Sequence, residues 1–312
     1  MVKDIRTVAI AGSGTMGASM AEIFASFGYN IILYDIRCEA LDRAMDLIKM
    51  NQQTAISQNI LSSQESISLL NHINLTTDIH SLSEADFVIE AIIENMEVKK
   101  RFWEEASHLV KDHIILASNT SGLSITKIAE AVRKPERFAG MHWINPPHII
   151  PLVEVVKGVR TAEETVHIIY QICETLKKKP VIVKDAPGFV LNRIQLAVLR
   201  ECLHIAEQGI ASLEDIDNVM KYALGMRYAC LGPFEVVDHG GLDVFDNIAE
   251  YLFPDLSTQS ESFYLLKQSV QNGDLGVKTG KGFYDYSNGK DKEAILYRDG
   301  MYTRLVKCLY TI

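Results

Sequence analysis

The chain has 312 residues, 47% of them apolar and 23% charged, with a formal net charge of -9. That length suits two domains of roughly 100–200 residues each, and the composition excludes a fibrous or disordered chain. The acidic balance argues against a nucleic-acid partner, no window approaches the roughly 18 continuous apolar residues of a membrane span, and the start, Met-Val-Lys-Asp-Ile-Arg, lacks the apolar core and cleavage site of a secretory signal.

The first half alternates short β-rich runs with amphipathic stretches. Thr7–Ala11 is continuously apolar, as a strand buried on both faces must be. Met16, Met20, Ile23, Phe24 and Phe27 then share a helical face, and Asn30–Tyr34 is the next strand. Residues 37–71 interrupt the pattern with two amphipathic segments, Glu39–Asn51 and Ser63–Leu70, about a polar turn near Ser57–Asn59. They are expected to form a helical hairpin projecting from the sheet domain. Further strands are expected at Phe87–Ala91, Ile114–Ala117, Phe138–His142, Leu152–Val156 and Val181–Val183, most of them separated by helices. Lys177-Lys178-Lys179 ends a helix before Pro180, where cations suit the helix dipole. The order implies a doubly wound, mostly parallel α/β sheet.

After Asp185-Ala186-Pro187-Gly188 the pattern turns helical: Phe189–Gln208, Leu213–Leu224, Val244–Leu252, Glu261–Gln271 and Glu293–Leu309. The boundary is placed so that residues 1–184 form a nucleotide-binding domain and 185–312 an all-helical domain for substrate binding and dimerisation. Leu196, Val198, Leu199, Leu203 and Ile205 give one helix more apolar surface than a small domain buries, so a homodimer is expected. The cysteines Cys38, Cys173, Cys202, Cys230 and Cys308 are scattered and odd in number, without C-x-x-C, as in a reduced, cytoplasmic protein.

Gly12-Ser13-Gly14-Thr15-Met16-Gly17 fits G-x-G-x-x-G between a buried strand and a helix, and Asp35 follows 18 residues after Gly17 at the end of the second strand. This is the dinucleotide fingerprint of a Rossmann-type domain. Gly12 permits the tight turn, Gly14 lets the backbone approach a pyrophosphate, and Gly17 lets the helix pack close. The helix N-terminus supplies free N–H groups and a positive dipole end. Asp35 suits ribose hydroxyls and repels a 2′-phosphate, so NAD is favoured over NADP, with Arg37 nearby as a mild counterargument.

His142 ends a β-rich run, where ligands of such sheets bind. Glu154, twelve residues on, is a carboxylate inside an apolar strand pattern, costly unless paired. A carboxylate that holds one imidazole nitrogen fixes the tautomer and leaves the other as a base for an alcohol proton. Neither H-x-E nor H-E-x-x-H occurs, so no metal is expected.

The stretches AIAGSGTMG, FVIEAIIENMEVKK, ASNTSGLSIT, GMHWINPPHIIPLVEVV, DAPGFVLNRI, GPFEVVDHGGLD and GVKTGKGFYDY run collinearly from about residue 5 to about 286. Together they resemble the L-3-hydroxyacyl-CoA dehydrogenase family. The resemblance implies an NAD-dependent oxidoreductase of fatty acid metabolism, acting on C3 of a 3-hydroxyacyl-CoA and pairing as dimers through its second domain. It assigns His142 and Glu154 to acid–base catalysis and places Ser121 and Asn192 beside the reacting oxygen. It makes Glu94, Lys99, Asn119, Asn145 and Lys278 candidate NAD contacts. The family also holds relatives that oxidise free hydroxy acids, such as gulonate and carnitine dehydrogenases. Arg37, Arg43 and Lys49 stand against Glu39, Asp42, Asp46 and Glu65 in the hairpin. A CoA 3′-phosphate calls for cations, so a free 3-hydroxy acid is the alternative substrate.

Overall fold

A computed structural model of the chain describes residues 4–57 and 61–310. The chain divides into two compact units, one ending at Asn192 and the other running from Arg193.

The N-terminal unit is built on an eight-stranded sheet: β1 (Thr7–Ala11), β2 (Asn30–Tyr34), β3 (Ile73–Thr76), β4 (Phe87–Glu90), β5 (Ile115–Ser118), β6 (Phe138–Trp143), β7 (Leu152–Lys157) and β8 (Lys179–Lys184). The spatial order is β3-β2-β1-β4-β5-β6-β7-β8. All neighbours are parallel except β6 and β7. The helices of this unit are α1 (Thr15–Ser26), α2 (Cys38–Ser57), α3 (Ser63–Asn71), α4 (Met96–Leu109), α5 (Ile125–Ile128) and α6 (Glu163–Thr175). α7 (Leu191–Glu207) begins in it and crosses the division.

Alternation along each strand feeds two cores, as a sheet covered on both faces requires. Val8 and Ile10 of β1 join Met141 and Trp143 of β6 and Val153 and Val155 of β7 in one. Ala9 and Ala11 join Phe138, Val156, Trp103 and Phe189 in the other. Each expected strand is present, with ends shifted by at most two residues. β3 is an addition: a half-exposed edge strand, Ile-Asn-Leu-Thr, paired with β2.

The two helices expected within residues 37–71 are present as α2 and α3, but their base is not detached from the domain. Leu41, Ala44 and Ile48 of α2 and Leu69 of α3 belong to the first core. α3 opens with a capping box between Ser62 and Glu65. The polar turn expected near Ser57–Asn59 falls partly on residues 58–60, outside the described residues.

The C-terminal unit is helical among its described residues: most of α7, then α8 (Leu213–Val219), a π-helical turn (Met220–Leu224), α9 (Gly225–Cys230), α10 (Pro233–Gly240), α11 (Leu242–Leu252), α12 (Tyr264–Gln271) and α13 (Lys290–Leu309). The helix expected to end at Leu224 therefore continues to Cys230, and α10 is an addition. α10 starts on Pro233, and the Glu235 carboxylate accepts from the Gly232 N–H at 2.6 Å. Among the described residues, Leu203 and Phe263 are the buried large apolar side chains of this unit, whereas Leu196, Met226, Phe234, Leu242, Tyr251, Phe253 and Tyr264 are exposed. No described helix is long and apolar enough to cross a membrane.

Candidate active site

The sheet order reverses beside β1, so the C-terminal ends of β1 and β4 border the crevice where ligands of doubly wound sheets bind. Gly12 has φ +98, and a Cβ on it would stand 2.5 Å from the Ala91 carbonyl oxygen. A Cβ on Gly17 would stand 1.8 Å from the Gly12 carbonyl oxygen. Glycine is required at both positions, and the turn closes directly onto the first turn of α1. Gly14 is the N-cap of α1, with no side-chain cap and open space around it. The first N–H groups of α1 thus face outward, as a pyrophosphate site requires. Ser13, between the two glycines, is buried, while Thr15 is exposed and Met16 half-buried. Ser13 donates from both its backbone N–H and its hydroxyl to Asp35, each at 2.9 Å. The Arg37 N–H donates to the other Asp35 oxygen at 3.1 Å, and the Arg37 side chain is exposed. Asp35 is therefore oriented by the glycine turn itself. These features fit NAD: an uncapped helix start for the pyrophosphate and a fixed carboxylate for the ribose.

At the end of β4, Glu90 is fully buried and accepts from Ser118 (2.7 Å), Ile92 N–H (2.9 Å), Trp103 (3.3 Å) and the Lys99 ammonium. Asn95 caps α4 through the Val98 N–H and sets Lys99 in its first turn. Lys99 has no exposed surface, and its ammonium also lies 3.4 Å from Glu94. Any part that Lys99 takes in cofactor binding therefore runs through Glu94. The Glu94 carboxylate accepts from the Thr120 hydroxyl (2.5 Å) and the Ser121 N–H (2.9 Å). The Ser121 carbonyl accepts from Asn192 Nδ2 at 2.6 Å. One hydrogen-bonded chain thus runs from Glu90 through Lys99 and Glu94 to Ser121 and Asn192. The Ser121 side chain is exposed, and it is Ser124 that caps α5.

β6 and β7 place His142 directly opposite Glu154. Both project into the core that holds Phe138, Val156 and Phe189. The imidazole Nδ1 donates to Glu154 at 2.8 Å, both groups are buried, and the Phe189 ring lies 5.6 Å from the imidazole. The other Glu154 oxygen accepts from Val190 N–H (3.0 Å) and Leu191 N–H (2.9 Å) at the start of α7. Gly188 and Phe189 both have positive φ, 75° and 50°, and this left-handed turn brings those two N–H groups onto the carboxylate. Burial alone would raise the Glu154 pKa. The hydrogen bonds from His142, Leu191 and Val190 together outweigh burial and hold the carboxyl below its ordinary range.

Asn119 follows β5, and its side-chain Oδ1 accepts from the Trp143 backbone N–H at 2.8 Å, tying the end of β5 to the strand of His142. Asn145 is exposed, three residues beyond His142. Lys278 belongs to the C-terminal unit, exposed on a short 3-10 turn (Val277–Thr279). The N-terminal unit thus brings together His142 with Glu154, Ser121 with Asn192 and Glu94, and Ser13 with Asp35. Sequence reasoning missed Glu90, Thr120, Phe189 and Lys178. Glu90 carries the same signal as Glu154: a carboxylate closing an apolar strand. Lys178 does not sit at the helix end as a solvated cation. It is buried, over the Trp143 ring and bonded to the loop after β6.

Comparison with known families matches residues 7–186 to the 3-hydroxyacyl-CoA dehydrogenase NAD-binding domain and residues 188–286 to the C-terminal domain of the same family. A probable 3-hydroxybutyryl-CoA dehydrogenase of Bacillus subtilis is 37% identical over 284 residues, 91% of this chain and 98% of that protein. The crystal structure of 5-formyl-3-hydroxy-2-methylpyridine 4-carboxylic acid 5-dehydrogenase, an NAD+-dependent dismutase, superposes with a TM-score of 0.90 at 33% identity, covering 98% of this chain and 99% of that one. The (S)-3-hydroxybutyryl-CoA dehydrogenase of Ralstonia eutropha superposes with a TM-score of 0.77 at 35% identity, covering 91% and 100%.

Proposed function

The chain belongs to the 3-hydroxyacyl-CoA dehydrogenase family of NAD-dependent oxidoreductases, and we propose that it interconverts the C3 hydroxyl and carbonyl of a 3-hydroxyacyl-CoA with His142 as the acid–base group. NAD, when bound, supplies the hydride acceptor. Gly12 to Gly17 and Asp35 would hold its pyrophosphate and adenine ribose, and Glu94, Asn119 and Asn145 complete the candidate contacts within this unit.

The carrying observation is the cross-strand pair. Glu154 stays anionic because three donors converge on it. It therefore accepts from Nδ1 and leaves Nε2 of His142 to face the substrate. In oxidation Nε2 takes the hydroxyl proton; in reduction it returns one to the carbonyl oxygen. Glu154 balances the imidazolium and keeps its own charge throughout. The Ser121 hydroxyl and the Asn192 amide orient the substrate oxygen, and Glu94 fixes the backbone that carries Ser121.

The test is steady-state kinetics with acetoacetyl-CoA and NADH. His142→Ala should lower turnover about 10²–10⁴-fold, with NADH affinity little changed. Through the neutral range, where an imidazole exchanges protons, oxidation should rise with pH and reduction fall, because one direction needs the neutral ring and the other the protonated one. A His142→Ala enzyme within a few-fold of wild type removes the base from this mechanism.

A second reading keeps the chemistry and changes the carrier to a free carboxylic acid. Two observations favour it: the superposition of 0.90 on a pyridine-carboxylate dehydrogenase against 0.77 on a CoA enzyme, and the exposed α2 surface, where Arg43 and Lys49 stand among Glu39, Asp42 and Asp46. Changing Arg43 and Lys49 to Ala should raise KM for acetoacetyl-CoA under the first reading. No activity with any acyl-CoA favours the second.

The assembly we propose is a homodimer through the C-terminal unit, whose helices leave Leu196, Leu242, Phe234 and Tyr251 exposed. Sedimentation at micromolar concentration should give a dimer; a monomer contradicts it. The five free cysteines, three of them exposed, suit a reducing, cytoplasmic setting.

A further inference from the structure

The loop Ile144–Pro151 joins β6 to β7 and so sets the register that puts His142 opposite Glu154. Within it the Ile149 and Ile150 N–H groups both bond back to the Pro146 carbonyl, at 3.1 and 3.0 Å, and its last carbonyl, Pro151, accepts from the Lys179 N–H at 2.8 Å. Two further carbonyls of the loop, Pro147 and Ile150, accept from one group, the ammonium of Lys178. That ammonium also lies 5.2 Å from the ring centroid of Trp143, the residue after His142. The indole N–H of Trp143 has no hydrogen-bond partner among the described residues, so packing and the cation hold the ring. Lys178 is 8% exposed, and no carboxylate pairs with it among the described residues. A buried ammonium without a counter-ion is costly; among the described residues the loop carbonyls and the indole offset that cost.

We propose that Lys178 is a positioning residue of the active site, its ammonium clamping the β6–β7 loop so that His142, Glu154 and Asn145 keep their places. It touches neither substrate nor cofactor. Without the clamp, two loop carbonyls lose their donor, and the hairpin that pairs His142 with Glu154 is free to shift. Misplacement of about 1 Å at such a pair costs up to about 10²-fold in rate.

The clamp is also sensitive to pH. Burial lowers the Lys178 pKa to about 8, while the facing thiol of Cys173 on α6 is pushed up to about 12 by burial and stays uncharged. Lys177 and Lys179 flank it along the chain, and exposed His148 is the other titratable group of the loop. Loss of the ammonium charge above this range weakens the carbonyl bonds and removes the cation from the indole face.

The experiment compares wild type, Lys178→Met and Lys178→Arg by hydrogen exchange and by oxidation kinetics over pH 6–10. In Lys178→Met, peptides within 144–151 should exchange at least about tenfold faster, with the rest of the sheet unchanged. Wild-type turnover should fall above pH 8, and Lys178→Met should be slower by about 10- to 10²-fold with that alkaline fall absent. Lys178→Arg, always charged, should restore both protection and activity at high pH. NADH affinity should fall by less than turnover in Lys178→Met, since of the candidate cofactor contacts only Asn145 lies in the loop. Unchanged exchange at 144–151, or an alkaline fall that survives in Lys178→Met, overturns the proposal. Should Lys178→Met fail to fold, wild-type exchange decides alone: protection at 144–151 that does not drop between pH 7 and 9, after correction for intrinsic exchange, sinks it. The proposal rests on the His142–Glu154 reading, but the exchange measurement does not, so the two can fail separately.

Discussion

The end of β4 and the middle of β7 each bury a carboxylate in an apolar strand, and the two are held in different ways. Glu90 accepts from four donors, one of them the ammonium of Lys99, itself fully enclosed. Glu154 accepts from three, one of them the imidazole of His142. A lysine paired in this way is a fixed charge: it neutralises Glu90 and fastens Glu94. An imidazole exchanges protons in the neutral range, so the second carboxylate has a partner whose charge can change during a reaction. Under the proposed mechanism the first arrangement fixes the wall of the site and the second supplies its acid–base group. Burial and pairing alone do not distinguish them; the proton chemistry of the partner does.

Replacing Lys99 with Met should have the largest effect on stability. Glu90 would remain as a buried charge without its cation, and breaking a buried pair costs about 3–5 kcal/mol. Urea denaturation should show that loss, and NADH binding should weaken as Glu94 loses its anchor. The corresponding change at the other site, His142→Ala, should cost less, about 1–3 kcal/mol, because Glu154 keeps the N–H groups of Val190 and Leu191. A larger loss for His142→Ala than for Lys99→Met would reverse the comparison and make the histidine the structural partner.

The two sites were unequally legible in the sequence. The double burial of the sheet was readable because its strands are continuous apolar runs, with glycines marking the nucleotide turn. β3 was missed although Ile-Asn-Leu-Thr alternates, because four residues are the shortest run in which such a pattern can show. His142 and Glu154 were found because a charge in an apolar strand demands a partner. Glu90 makes the same demand, but its partner stands on the following helix, and only tertiary packing shows that Lys99 turns inward. Lys178 lies in a run of three lysines that reads as a solvated helix end, and nothing local says which of the three is enclosed. The left-handed Phe189 was equally silent, for such a conformation is ordinarily left to glycine. In the C-terminal unit most helices were readable, while what covers their apolar faces is not encoded locally at all.

The smallest expected effect, and the sharpest for the charge on Glu154, is the acid response of Glu154→Gln. The carboxyl is held below its ordinary range in the folded protein, whereas in the unfolded chain it titrates near the ordinary value of about 4.3. On acidification the unfolded state therefore binds its proton first, and stability falls as the pH drops. The contribution of the charge is complete above the unfolded value and is lost as the pH falls through the folded one. Gln keeps the shape and a carbonyl acceptor but has no charge to titrate. At pH 7 the variant should be less stable by about 1–3 kcal/mol, the range of hydrogen bonds to a charged group. That gap should narrow below about pH 4.5, as wild type loses an advantage the variant never had. Urea denaturation of both proteins from pH 3.5 to 8 measures it. A gap that stays constant to pH 3.5 would mean that Glu154 contributes by packing, and the carboxylate of β7 would then differ from that of β4 in more than its partner.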